Sequence, residues 1–166
     1  MISQMLKPLL KPIKKYEVTP VQTATMPDPL YPPEEIITLT DLLRSAPHVT
    51  TKQTCEQTLK VMFSYPEAES IVVCDKLHRP VGLIMCGRFF FRVNGRAGMD
   101  GFYMQRIVKL MTQKPLIVDV SSSVSNVQQQ AEERAEYFRN DSIIVTEQER
   151  VLGIITATDL RQGYRS

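Results

Sequence analysis

Residues 153–160 read GIITATDL. Ile154 and Ile155 extend a β-branched run suited to a strand, and Thr156 and Asp159 then stand three apart where a helix would begin. A strand running into a helix N-terminus leaves backbone N–H groups and the positive end of the helix dipole aimed at one spot, which suits a phosphate. Thr156 adds a hydroxyl there. Asp159 is acceptor-only, so it can take both hydroxyls of a ribose diol. The same spacing also works with no ligand, as an N-cap followed by an acidic residue in the first turn. These residues alone do not choose between the two uses.

Working outward, SIIVTEQERVLGIIT (residues 142–156) matches IVVCDKLHRPVGLIM (residues 71–85) without a gap, at an offset of 71 that places Gly82 on Gly153. Val49 and Val118 each begin a short strand ahead of these hairpins. An amphipathic helix follows each: Cys55, Leu59, Met62 and Phe63 share one face in the first copy, and Val124, Val127, Ala131, Ala135 and Phe138 in the second, behind the capping serines Ser121, Ser122 and Ser123. A further helix starts near Gly87 and carries Phe89, Phe90, Phe91 and Val93. The order strand, helix, strand, strand, helix therefore occurs twice, as a repeat of about 70 residues. The expected fold class is α/β (α+β), two pseudo-symmetric repeats packed as one module through a shared apolar face. The expected divisions are a Pro-rich basic arm over 1–35, a first repeat over 36–93, a linker with a connecting helix from Phe102 to Met111 over 94–111, and a second repeat over 112–166.

Composition narrows the function classes. Of 166 residues, 43% are hydrophobic and 23% charged, and the net charge is only +2, as in an ordinary soluble globular protein. The bases cluster in the arm (Lys7, Lys11, Lys14, Lys15) and between Arg88 and Lys114, without the density or aromatic interleaving of a nucleic-acid surface, so no DNA or RNA partner is expected. Seven of the eleven prolines lie in the arm, which cannot bury a core by itself. Cys55, Cys74 and Cys86 sit in apolar segments without metal-like spacing. No signal-peptide core and no membrane span is apparent, so reduced thiols and a cytoplasmic location are expected. His48 and His78 fall in isolated turns, and neither is assigned a metal.

Cys86 and Arg92 have the Cys-x5-Arg spacing of a phosphatase loop, where a thiolate at a helix N-terminus would attack phosphorus. Three intervening phenylalanines oppose that use, because such a loop needs small residues to curl its N–H groups round a phosphate. With no carboxylate pair and no Ser/His/Asp set elsewhere, the chain reads as a non-enzyme.

The doubled pattern, ending in Gly-apolar-apolar-Thr-x-x-Asp and a short helix, resembles the CBS domain, named for cystathionine β-synthase, here as a tandem pair or Bateman module over residues 36–166. The segment RPVGLIMCGRFFFRVNGRAG and the following GFYMQRIVKLM are similar to CBS pairs attached to diguanylate cyclase and EAL domains, of which this chain would be a free-standing relative. The resemblance implies a regulatory sensor that binds an adenosyl ligand in the cleft between repeats and signals by a change of shape or partner. The ligand would be AMP, ADP or ATP, a cyclic dinucleotide or S-adenosylmethionine. Carried over, Asp159 takes the ribose, Thr156 the phosphate, Gly153 permits close backbone approach and Ile155 lines the floor. Leu116 and Ile117 meet the adenine edge. Ile143 stands where the family often has Pro. In the first repeat Met85 and Arg88 replace the Thr and Asp, so one nucleoside site is expected. Arg88, a cation opposing its own helix dipole, calls for an anion nearby: Asp159 or another carboxylate, or a ligand phosphate reaching across the pseudo-twofold. Pairs of this family associate two by two, and the apolar faces carrying Phe89, Phe90, Phe91 and Met104 exceed what one pair covers, so a homodimer is expected, along with an unidentified regulated protein. The alternative is a ligand-free dimerisation scaffold in which Thr156 and Asp159 only cap a helix.

Overall fold

Two small sheets carry the molecule. In the computed structural model, which describes residues 36–95 and 101–163, β1 (His48–Thr50) pairs in parallel with β2 (Ser70–Cys74), which pairs antiparallel with β3 (Pro80–Met85). The second sheet repeats this with β4 (Ile117–Asp119), β5 (Ile143–Glu147) and β6 (Arg150–Ile155). Helices α1 (Leu39–Leu42), α2 (Cys55–Ser64), α3 (Cys86–Asn94), α4 (Val124–Glu132) and α5 (Ala157–Gln162) complete the order. The mixed α/β class and the doubled element order are therefore observed. The Pro-rich arm lies outside the described residues.

The hairpins superpose with one correction. Val73 is opposite Gly82, but Val145 is opposite Gly153. The second hairpin is one residue shorter, and β2 maps onto β5 at an offset of 72 while β3 maps onto β6 at 71. A slip of one residue would turn every side chain to the other face. Burial confirms the longer offset: Ile71 and Val73 face the first repeat's core, Ile143 and Val145 the second's, and Val72 and Ile144 meet between the sheets. The shortening leaves Gln148 and Glu149 as the central turn residues, both at positive φ (50° and 66°). Such values match the right-handed twist of a tight hairpin but favour Gly or Asn.

The central strands β2 and β5 bury both faces, one against their own repeat's core and one against the other sheet. The shared layer consists of Val72, Cys74, Leu83, Ile144 and Ile154.

The segments leading into each repeat are exchanged. Leu39, Leu42 and Leu43 precede β1 yet pack in the core of the second repeat, where Arg44 makes reciprocal backbone hydrogen bonds with Ile154 (2.8 and 2.9 Å). Phe102 and Ile107 precede β4 yet pack in the core of the first repeat, and Thr112 bonds Leu83 in the same reciprocal way. Gly153 is required by this crossing: a Cβ there would stand 2.5 Å from the Arg44 carbonyl oxygen. At Gly82 the nearest atom is the sulfur of Met111, the mobile end of a side chain.

Two predicted helices differ. Phe102–Met111 forms turns and a single 3-10 turn, Ile107–Lys109, because the carbonyls of Tyr103 and Gln105 accept from the N–H groups of Glu56 and Cys55 that open α2. Carbonyls spent on another helix cannot build their own. The helix of the second repeat stops at Glu132, short of Ala135 and Phe138. Beyond it the guanidinium of Arg134 gathers the carbonyls of Ala131, Arg139 and Asp141. The two histidines are not isolated: their rings meet edge to face, 4.5 Å between centroids.

Candidate functional site

The second sheet brings the expected site residues to one end. Leu116 and Ile117 lie at the start of β4, Ile143 at the start of β5, and Ile155 and Thr156 at the finish of β6. Not all of them are reachable. Ile143 and Ile155 are fully buried in the same core cluster as Val118, Val127 and Leu160; the alternation of the strands turns them into the core. Gly153 does permit a close backbone approach, but the backbone that approaches is that of Arg44, with the Leu43 side chain beside it. Ile117 is exposed and Leu116 half-buried.

Thr156 is 2% exposed, and its Oγ1 accepts a hydrogen bond from the Asp159 N–H at 3.1 Å. It is thus the N-cap of α5, a helix of only six residues whose dipole is correspondingly small. The Asp159 carboxylate is held by Arg44, which sequence reasoning missed. Nε of Arg44 donates to Oδ2 at 2.5 Å and an Nη2 hydrogen to Oδ1 at 2.8 Å, a bidentate fork. The Arg44 hydrogen bond lowers the Asp159 pKa below the usual carboxylate value; burial opposes it, and the Thr156 hydrogen bond and the charge of Arg44 lower it further. The pair lies at the rim of a cleft of about 450 Å3 lined by Asp41, Leu42, Leu43, Arg44, Asp159, Gln162 and Gly163. No local motif marks Arg44, since 115 residues separate it from its partner.

Arg88 has its anion, and it is a carboxylate of the protein. It forks onto Asp141 (2.6 and 3.3 Å), donates to the Tyr137 carbonyl and lies 4.3 Å above the Tyr137 ring. Asp141 is 3% exposed, so a buried charge depends on this arginine. The hydroxyls of Ser70, the first residue of β2, and Ser142, the residue just before β5, are buried with no hydrogen-bond partner among the described residues. The register of β5 and β6 sets Ser142 opposite Thr156. A serine at the same place in both copies was the available signal, once the offset of 72 is used.

The phosphatase spacing has no chemistry behind it. Cys86 to Arg92 is a helix and not a loop, and burial pushes the Cys86 thiol up to about 11, away from a reactive thiolate. Cys74 is likewise pushed up to about 11 by burial. Among the described residues no cluster of three His, Cys, Asp or Glu side chains could hold a metal. No described helix is long and apolar enough to cross a membrane.

Comparison with known proteins agrees with this geometry. The family model described as "CBS domain" matches residues 107–165, the span that contains Thr156 and Asp159. No curated protein matches the sequence. Among solved structures, the cytosolic domain of the Mg2+ channel MgtE in complex with ATP is similar at a TM-score of 0.61 and 20% identity, covering 78% of this chain and 49% of that one. A Methanocaldococcus jannaschii protein gives 0.60 and 18%, over 76% of this chain and 58% of that one. A CBS-domain containing protein from Agrobacterium tumefaciens gives 0.59 and 18%, over 76% and 98%. The chain thus spans about half of the first two and nearly all of the third. At these identities the likeness is one of fold.

Proposed function

We propose, from a CBS domain over residues 107–165 and a first copy of its fold over residues 48–94, that this chain is a regulatory module sensing an adenosyl ligand in the cleft between its repeats. The observation that supports the reading best is Asp159, a carboxylate held ionised at the rim of a cleft between the leader of one repeat and the last helix of the other. The structural neighbour solved with ATP is consistent with it. Ligands in view are AMP, ADP and ATP, a cyclic dinucleotide and S-adenosylmethionine.

Arg44 sharpens the mechanism. Both carboxylate oxygens already have a donor, so a ribose diol takes Asp159 only when the guanidinium turns away. Arg44 is 58% exposed at its side chain and its backbone is pinned to β6, which leaves the side chain free to rotate onto a ligand phosphate. Occupancy would exchange an internal ion pair for two ligand contacts and loosen the leader from α5. That is a route to a signal, read by a regulated protein. Kinship with the CBS pairs of diguanylate cyclase and EAL proteins, and a cytoplasmic setting for three buried, unpaired cysteines, are parts of the same proposal.

A homodimer accompanies it. Phe63 and Phe91 are 68% and 82% exposed on α2 and α3, and Met104 is exposed too. Phe89 does not belong to that face; it is buried against Phe102. A second copy would cover the patch.

The rival scaffold reading has its own support, since Arg44 and Thr156 satisfy Asp159 and its N–H with no ligand. Thermal shift separates the two. A ligand at a hundred times its Kd adds about 2.7 kcal/mol to the native state. Wild type is expected to shift with at least one of the nucleotides named above, and Asp159→Ala to bind it roughly 10- to 150-fold more weakly. No shift at millimolar concentration leaves the scaffold reading.

A further inference from the structure

Helix α5 serves two surfaces at once. On one side Asp159 meets Arg44 at the rim of its own cleft. On another, Ala157, Leu160 and Arg161 line a groove of about 430 Å3 that lies wholly within the second repeat, between α4, α5 and the segment after α4. The floor of this groove is apolar, for Ala131, Ala157 and Leu160 are all buried. It is also braced: the Gln128 side-chain amide donates to the Leu160 carbonyl at 2.9 Å and ties α4 to α5.

The rim is basic. Arg134, Arg139 and Arg161 line it against a single carboxylate, the exposed Glu132. Among the described residues these guanidiniums meet only neutral oxygens: Arg134 the carbonyls of Ala131, Arg139 and Asp141, Arg139 the carbonyl of Arg134, and Arg161 the side-chain oxygen of Asn140. None of the three forms an ion pair with a described residue. Burial lowers the pKa of Arg134 below the ordinary arginine value; the charge of Asp141 opposes this and that of Arg161 adds to it. Like charges are thus gathered round an apolar floor, and an anion from outside would complete the surface.

A groove between helices takes up the apolar face of an amphipathic segment, and clustered arginines select acidic motifs. A flat bilayer does not reach a recessed floor. The exposed aromatic residues that a second copy would cover, Phe63 and Phe91, belong to α2 and α3 of the other repeat. We infer that this groove is the docking surface for the regulated protein, and that the docking segment is acidic and amphipathic, with leucine or phenylalanine on the floor and aspartate or glutamate facing Arg139 and Arg161. The surface itself does not depend on Asp159; only its use as an output, through the helix that both sites share, rests on the ligand-sensing proposal.

The test selects a displayed library of random peptides on the immobilised full chain with no nucleotide present, so failure of the ligand-sensing proposal leaves it intact. Enriched peptides are expected to combine Asp or Glu with Leu or Phe and to bind less tightly as salt is raised. By fluorescence anisotropy they should bind Arg139→Gln with Arg161→Gln, two exposed positions, about tenfold or more weakly than wild type. Glu132→Gln, which removes the carboxylate from the rim, is expected to tighten binding, a gain that misfolding does not imitate. A library that yields no binder overturns the inference, as do peptides without acidic residues or equal binding to wild type and the arginine variant. A drop of the arginine variant from dimer to monomer in light scattering also overturns it and assigns the groove to a second copy. Binding to phosphatidylserine vesicles that the arginine variant loses overturns it in favour of a membrane.

Discussion

Position 88 and position 159 are the same place in two copies of one fold, and they carry opposite charges. Each makes a bidentate ion pair with a residue far away in sequence, but the two pairs differ in what depends on them. Arg88 neutralises a carboxylate sealed from water, whereas Arg44 meets Asp159 at an open rim. A buried ion left without its partner is far more costly than a lost pair at the surface, so one copy has turned the position into structure and the other has kept it available.

Breaking the two pairs should separate them most clearly. Arg88→Ala is expected to destabilise the protein by about 3–5 kcal/mol, because it strands Asp141. Arg44→Ala should cost far less, because the Arg44 guanidinium meets Asp159 in contact with water. Equal losses in urea denaturation would abolish the distinction. The glycines give a second, smaller contrast. Gly153→Ala drives a methyl group into the Arg44 carbonyl and should cost about 1–3 kcal/mol, as overpacking does, while Gly82→Ala displaces only the end of Met111 and should cost less. The hairpin turns differ in the opposite sense. Gln148→Asn with Glu149→Gly suits the positive φ values of the shorter turn and should stabilise by about 1 kcal/mol, read as a midpoint roughly 2–4 °C higher.

The smallest effect is on pH dependence. The folded pKa of Asp159 lies below its unfolded value, so its contribution is complete above the unfolded pKa of about 3.9 and is lost as pH falls through the folded pKa. Asp159→Asn should flatten the stability profile only below about pH 4. A difference at pH 7 that grows with salt would point to another origin.

Local pattern made the sheets and most of the helices legible. β-branched runs bounded by turns located β2, β3, β5 and β6, and 3.6-residue spacing located α2 and α4, though it extended α4 past Glu132. What sequence could not show was long-range. Phe102 to Met111 has helical periodicity, yet its carbonyls serve α2, and periodicity cannot report where a carbonyl points. Arg44 carries no motif, so its partner emerges only when the leader is laid on β6. The gapless hairpin match was misleading for a related reason: composition survived a deletion of one residue, but the facing of each side chain did not. At the site, Thr156 and Asp159 were found by spacing, while the fully buried positions of Ile143 and Ile155 followed from strand facing that the motif leaves out.

The exchange of leaders has a consequence for how the chain acquires its shape. Leu39 and Arg44 find their places only against β6, more than a hundred residues later, so the first repeat emerges from synthesis with its own leader unhoused. Contacts of such high sequence separation raise the entropy that must be spent before any gain, and they slow folding. They also forbid division. A gene cut between Asn94 and Phe102 would yield two fragments, each with a gap where the other's leader belongs and each with an apolar leader of its own exposed. Complementation of the two fragments, with neither folded alone, would be the signature of a single cooperative unit written as two copies.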